Sequence, residues 1–220
     1  MHEIAIESQV LSDNALAAHH NREHFREHGV YVLNLMSGPG AGKTTLLERT
    51  IQSLRPRYRL AVIEGDVQGR TDADRIGRLG VEVRQINTGH ACHLDARLVH
   101  RELDSLRLSD LDVLLIENVG NLVCPAEFDL GEHDKAMILS VTEGHDKPEK
   151  YPVMFHVARA LVISKIDLLP YVDFDMERAK KQARALNLDL EIFPLSAKTG
   201  DGMDAFISWL ESRITRVKGA

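Results

Sequence analysis

The 220-residue chain has little cysteine, only Cys92 and Cys124. Its first residues, Met1-His2-Glu3-Ile4-Ala5-Ile6-Glu7, lack the basic start and apolar run of a secretory leader. Reduced thiols in a cytosol are therefore expected, rather than a disulfide framework. Long apolar runs are also missing. Runs such as Ala160–Ile163 fall far short of the ~20 residues that cross a bilayer, so no membrane role is expected. Positive charge is in deficit, with 27 Lys and Arg against 33 Asp and Glu for a net −6. A nucleic-acid binder usually carries a basic face, so none is expected here. Neither a repeat nor a long linker interrupts the chain. What remains is the makeup of a globular protein, 44% hydrophobic and 27% charged. At this length about 70% of the extended surface can be buried, so folding needs no disulfide or structural metal.

From residue 30 onward, apolar runs of strand length alternate with helical patterns. Strands are predicted at Val30–Met36, Arg59–Glu64, Val81–Ile86, Leu111–Glu117, Ala136–Thr142, Ala160–Ser164 and Leu190–Leu195. Helices are predicted at Gly42–Leu54, Ala73–Leu79, Ala91–Leu106, Asp175–Leu186 and Met203–Val217. Strands apolar almost throughout belong to a mostly parallel sheet flanked by helices on both faces, an α/β fold. Residues 1–28 differ. Ser12 to His28 is polar and reads as a solvated helical arm leading into the first strand. His19, His20, His24 and His28 at helical intervals, or His2 beside the amino terminus, offer an alternative reading as a weak metal-collecting face.

The segment Ser37-Gly38-Pro39-Gly40-Ala41-Gly42-Lys43-Thr44-Thr45 joins an apolar strand to a helix. Backbone N–H groups of Gly38, Gly40, Ala41, Gly42 and Thr45 can curl around phosphate oxygens at the positive end of that helix. Lys43 would reach the β- and γ-phosphates, and the Thr44 hydroxyl would ligate Mg²⁺. This is a P-loop, and residues 29–220 are read as a P-loop NTPase (G) domain. Ser37 stands where the usual spacing has glycine, which is tolerable if its backbone angles are ordinary.

Ser164-Lys165-Ile166-Asp167 resembles the guanine motif Asn-Lys-x-Asp. Asp167 can accept from the N1–H and 2-amino group of guanine, groups that adenine does not offer. Lys165 would lay its stem over the base. Ser164 is expected to forgo the amide that braces this loop. Ser196-Ala197-Lys198 matches the second base loop of GTPases, so GTP and GDP are favoured over adenine nucleotides. Asp66 and Glu117 each close a strand and, with Thr44 and Asp72, are Mg²⁺ candidates. Gly120 in Glu117-x-x-Gly120 can give its N–H to the γ-phosphate. Asp72 reads either as a water-positioning or Mg²⁺ residue or as a helix N-cap. With Lys43, Glu117 and Gly120 it completes the candidate catalytic set.

Cys92, His93 and Cys124 are a ligand set suited to Zn²⁺, Ni²⁺ or Cu and poor for Mg²⁺ or Ca²⁺. Their spacing alone leaves open two inert buried thiols. However, Cys124 follows the loop of Glu117 and Gly120, so a metal there would feel the nucleotide state. An incomplete shell could be closed by water or by a second subunit.

The segments Gly89-His90-Ala91-Cys92-His93-Leu94, Glu117-Asn118-Val119-Gly120-Asn121-Leu122-Val123-Cys124-Pro125 and Ser140-Val141-Thr142-Glu143-Gly144, with Gly65-Asp66, resemble the HypB family. That family comprises the nickel-insertion GTPases of [NiFe]-hydrogenase maturation. The resemblance implies a G domain that forms a homodimer on GTP binding, with Cys92, His93 and Cys124 as a metal site at the interface. It further implies nickel delivery to the hydrogenase large subunit together with a HypA-type nickel-binding accessory protein. The amino-terminal cysteine cluster or polyhistidine run of some members is absent here. Rival readings are the urease-type accessory GTPase, whose metal motif is Cys-Pro-His, a regulatory switch without metal, and an ATP-dependent kinase-like enzyme sharing only the P-loop.

Overall fold

Strand-length apolar runs and the helical stretches between them alternate in the computed structural model, which describes residues 2–67, 69–89 and 91–219, with side chains from residue 10 on. The first half of the chain runs α1 (His2–His28), β1 (Tyr31–Ser37), α2 (Lys43–Leu54), β2 (Leu60–Asp66), α3 (Thr71–Gly77), β3 (Glu82–Asn87), α4 (Ala96–Leu103) and β4 (Val113–Glu117). The second half runs α5 (Cys124–Glu127), β5 (Asp134–Ser140), α6 (Lys147–Lys150), α7 (Pro152–Val157), β6 (Ala160–Ser164), α8 (Met176–Leu186), β7 (Glu191–Pro194) and α9 (Met203–Lys218). All seven expected strands form, each within two residues of its predicted ends.

They pair in the order β3-β2-β4-β1-β5-β6-β7, parallel at every junction. The inner strands are apolar because both faces are covered. Tyr31, Leu33 and Leu35 of β1 meet Leu47 and Ile51 of α2 and Phe206 and Leu210 of α9. On the opposite face, Val32 packs with Phe25 of α1 and Val99 of α4, and Met36 with Phe155 of α7. Strands β3 and β7, at the edges, are only half-buried. Parallel pairing puts every carboxyl end along one rim. The chain leaves β1 toward β2–β4 on one side and β5–β7 on the other, which opens a crevice above Ser37 where ligands bind in such sheets.

Two expectations about helices change. The predicted helix Ala91–Leu106 begins late, at Ala96. Gly89 has φ +63°, the Thr88 hydroxyl donates to the Ala91 carbonyl, and Asp95 caps the helix by accepting from the Leu98 N–H. Cys92 and His93 therefore lie in a loop rather than on a helix. The arm is not solvated all round either. Asn14, Ala18, Asn21 and Phe25 form a buried stripe at helical spacing. Asn14 accepts from the Ala96 N–H, and Asn21 donates to the carbonyls of Ala96 and Leu130. The short helices α5, α6 and α7 are not expected from the sequence; each carries a proline at its first or second position and is too brief for a periodic signal.

Below the sheet, buried Asp112 ties three elements together. It accepts from the Arg59 backbone and guanidinium and from Lys218 at the end of α9. Burial works against its charge, but these hydrogen bonds prevail and hold the carboxyl well below the usual carboxylate range. A depressed folded-state value contributes stability above the unfolded value, near 3.9, and loses it as pH falls further. The stability deficit of Asp112→Asn relative to the parent chain should thus be constant above about pH 5 and shrink below about pH 4. Urea unfolding across that range checks this; a deficit independent of pH would contradict it.

Candidate nucleotide and metal site

The rim above β1 gathers most of the expected nucleotide residues. Gly40 (φ +73°) and Gly42 (φ +98°) adopt left-handed backbone, so glycine is required where the loop turns into α2. Ser37 has no such angle, since Lys165 alone among the described non-glycine residues has positive φ. The serine substitution is thus unstrained, and its hydroxyl accepts from Lys43 Nζ at 3.0 Å. A cavity of about 330 Å³ over the loop is lined by Gly40, Gly42, Lys43, Thr44, Thr45, Asp72, Arg75, Glu117 and Lys165. Beside it, a second cavity of about 280 Å³ is lined by Ala41, Gly42, Thr45, Lys165, Asp167 and Ser196–Lys198 among others. The two share Gly42, Thr45 and Lys165, so they form one trough, polar at the phosphate end and mostly apolar at the base end.

At the base end, Ser196 donates to Asp167 Oδ1 at 2.6 Å, leaving Oδ2 for a ligand. Arg49 holds the Ser196–Lys198 loop through the carbonyls of Ala197 and Lys198. Lys165 Nζ reaches back to the Gly40 carbonyl at 2.7 Å. The expected loss of bracing at Ser164 is corrected. Its buried hydroxyl donates to the Ala41 carbonyl at 2.7 Å, so a hydroxyl ties the base loop to the phosphate loop.

At the phosphate end, Thr44 donates to Glu117 Oε1 at 2.8 Å. Burial pushes the Glu117 carboxyl up to about 7, against the pull of Lys43 and Thr44. Glu64, on the neighbouring strand, also rises to about 7 through burial, with Glu117 beside it adding to the effect. Glu64 Oε2 and Glu117 Oε2 are buried without a hydrogen-bond partner among the described residues. Unpaired carboxylate oxygens next to a threonine hydroxyl are a hard-oxygen set that fits Mg²⁺. Glu64 is not among the candidates read from the sequence, although an acid closing the predicted strand Arg59–Glu64 is the signal that could have found it.

Asp72 is not an N-cap. Arg70 occupies that position without a side-chain cap, and Asp72 lines the phosphate cavity and accepts from Arg75. Asp66 lies at the end of β2, its oxygens accepting from the N–H groups of Val67 and Gly69. It does not line the phosphate cavity.

Cys92, His93 and Cys124 converge. Their ligand atoms lie within 4.8 Å of one another, the single such three-residue group among the described residues. Cys92 Sγ is 2.8 Å from Cys124 Sγ and 3.8 Å from His93 Nδ1, and both cysteines are free. Two thiolates on one tetrahedral Zn²⁺, each at ~2.3 Å, stand roughly 3.8 Å apart, so loading must spread the sulfurs. Burial pushes the Cys124 thiol up to about 11, and the hydrogen bond with Cys92 adds to this. Burial lowers His93, against Asp95 and Glu127, and thus favours a neutral imidazole. Its ring stacks on Phe128, with centroids 3.8 Å apart. Among the described residues, His19, His20, His24 and His28 belong to no set of three ligand atoms that close together, and the side chain of His2 lies outside the described residues.

The stretch from Glu117 to Cys124 joins the two sites. A Cβ on Gly120 would stand 3.2 Å from Pro39 Cα and 3.5 Å from Lys43 Nζ, so this glycine rests on the phosphate loop. A Cβ on Gly38 would stand 3.5 Å from the Leu122 side chain, and Asn121 accepts from the N–H groups of Val123 and Cys124. Asn118 is a residue that sequence reasoning does not single out. Buried, it accepts from the Leu94 N–H next to His93 and donates to Asn34 of β1. Asn34 in turn donates to buried Glu132. One sequence signal points to this network, a polar Asn34 in the middle of an otherwise apolar strand.

Comparison with known proteins fits this geometry. The family model "CobW/HypB/UreG, nucleotide-binding domain" matches residues 31–194. Hydrogenase maturation factor HypB of Azotobacter vinelandii is 52% identical over 218 residues, covering 98% of this chain and 71% of the relative. The chain belongs to the HypB family. The crystal structure of HypB from Archaeoglobus fulgidus superposes with a TM-score of 0.87 at 41% identity, covering 92% of this chain and 99% of that one. HypB from Helicobacter pylori, solved in complex with nickel, gives 0.88 at 39% identity, covering 93% and 96%. The α/β P-loop architecture read from the sequence is thus the architecture of the HypB family, and no described helix is long and apolar enough to cross a membrane.

Proposed function

We propose that this HypB-family chain is a GTP-hydrolysing metallochaperone of the cytosol that helps insert Ni²⁺ into the large subunit of [NiFe]-hydrogenase. The observation that carries the reading is the pairing of two sites through one short stretch. Gly120 and Leu122 lean on the phosphate loop, and Cys124 at the end of the same stretch meets Cys92 and His93.

In this reading the backbone of Gly38–Thr45 cradles the phosphates, Lys43 neutralises the β- and γ-phosphates, and Asp167 reads guanine with Lys165 over the base. Thr44 and Glu117 would hold Mg²⁺, with Glu64, Asp66 and Asp72 as further oxygen donors, directly or through water. Bound there, Mg²⁺ supplies charge neutralisation for phosphoryl transfer. Asp72 positions water, and the Gly120 N–H reports the γ-phosphate. Cys92, His93 and Cys124 hold the transported Ni²⁺, with Zn²⁺ as a competitor for the same ligands. Three ligands leave a place for those of a second copy, hence a homodimer in the GTP state. A HypA-type nickel-binding protein is the expected accessory partner.

The dimer provides the test. Loaded with a non-hydrolysable GTP analogue and Mg²⁺, the chain should double its mass by light scattering at micromolar concentration, and with GDP it should not. A monomer in both states would contradict the reading. Base choice is checked separately. Asp167→Asn is expected to weaken GTP by about 10- to 100-fold, because a buried donor is left without its acceptor, and to favour xanthosine triphosphate. Unchanged preference in competition binding would remove Asp167 from the base site.

A further inference from the structure

Docking of α1 onto α4 creates a second cluster of imidazoles. His24 and His28 lie one turn apart on α1. His100 and Asp104 lie one turn apart at the end of α4. All four line a cavity of about 280 Å³ floored by Leu103, Leu106 and Leu108. The rings of His24 and His100 are 5.7 Å apart between centroids.

Hydrogen bonds decide which ring nitrogens are available. Asn21 donates through Nδ2 to the carbonyls of Ala96 and Leu130, which fixes its amide so that Oδ1 is the acceptor. His100 Nδ1, 2.8 Å from that oxygen, must therefore carry the proton. His28 Nδ1 lies 2.9 Å from the His24 carbonyl, which only accepts, so it too is protonated. In the neutral rings each Nε2 keeps its lone pair. An imidazole oriented by an Nδ1–H bond to an oxygen, with Nε2 free, is the usual arrangement of a metal-ligating histidine.

We propose that this α1/α4 cavity is a second metal site, distinct from the thiolate site, that takes one divalent Ni²⁺ or Zn²⁺ through His24, His28 and His100 with Asp104 as the fourth donor. An all-nitrogen-and-oxygen set with no thiolate suits these borderline ions. The rings stand wider apart than Cys92, His93 and Cys124, and Arg107 on the cavity wall opposes a cation. Binding is thus weaker than at the thiolate site, and rotation of the His24 side chain toward the oriented rings of His28 and His100 closes it.

The test uses the full chain with Cys92→Ala and Cys124→Ala, titrated calorimetrically with Ni²⁺ and separately with Zn²⁺. One equivalent is expected, without a sulfur-to-metal absorption band. Added His24→Gln or His28→Gln should each weaken it by at least about tenfold. His19→Gln, on the same helix but outside the cavity, should not. The decisive variants are those at His24 and His28, because His100→Gln also breaks the contact with Asn21. Absence of binding, or binding that survives both α1 substitutions or is lost with His19, would overturn the proposal. Because the thiolates are already removed, this outcome leaves the reading of Cys92 and Cys124 untouched.

Discussion

Lys43→Ala is expected to lower the rate of GTP hydrolysis by about 10²- to 10³-fold, as for loss of a preorganised cationic or hydrogen-bonding group at a developing charge. Lys43 sits at the floor of the phosphate cavity, where burial lowers its pKa while Glu117, Asp72 and Glu143 oppose that shift. Its hydrogen bond to Ser37 holds the loop ready without contributing much to folding. Single-turnover hydrolysis at saturating GTP, beside thermal unfolding, separates the two effects. A rate within a few-fold of the parent would remove the loop from the chemistry.

The second large effect concerns the thiols. Cys92→Ala and Cys124→Ala should each lower Ni²⁺ affinity at the converged site by at least about 100-fold, since changes one shell further out already cost 10- to 100-fold. The thiolate-to-nickel absorption band should vanish in both. The two residues are 32 positions apart, and each is half-buried, so either substitution should leave the sheet intact. A band that persists in both variants would place the metal elsewhere. Calorimetry and absorption on the same samples distinguish loss of this site from loss of weaker ones.

What is legible in the sequence follows from where each partner lies along the chain. The inner strands are legible because burial on both faces leaves only apolar side chains, and the phosphate loop because all its parts are contiguous. The base loops, too, are short local motifs. Cys92, His93 and Cys124 are candidates by type and by family resemblance, but only the fold brings them within reach of one ion. The network from Leu94 through Asn118 and Asn34 to Glu132 joins residues from distant parts of the chain, so no spacing rule exposes it. The buried stripe of α1 is hidden for a related reason. Two of its members, Asn14 and Asn21, are polar, and their burial makes sense only beside the open end of α4 and the Asp129–Leu130 carbonyls that they satisfy. The late start of α4 turns on loop chemistry at Thr88, Gly89 and Asp95, which overrides a helical pattern of side chains.

In the proposed function, nucleotide and metal would communicate through contact. The Gly120 backbone rests on Pro39, Asn121 fixes the start of α5, and Asn118 anchors the loop of His93. A γ-phosphate that draws Gly120 toward Lys43 would pull on Cys124 while Leu94 stays held. The most direct measurement is the Ni²⁺ affinity of the full chain in Mg²⁺, once with GDP and once with a non-hydrolysable GTP analogue. Affinities that differ by about 5- to 150-fold, the usual range for coupled sites, are predicted, with the difference abolished in Cys124→Ala. Equal affinities in the two states would contradict the coupling.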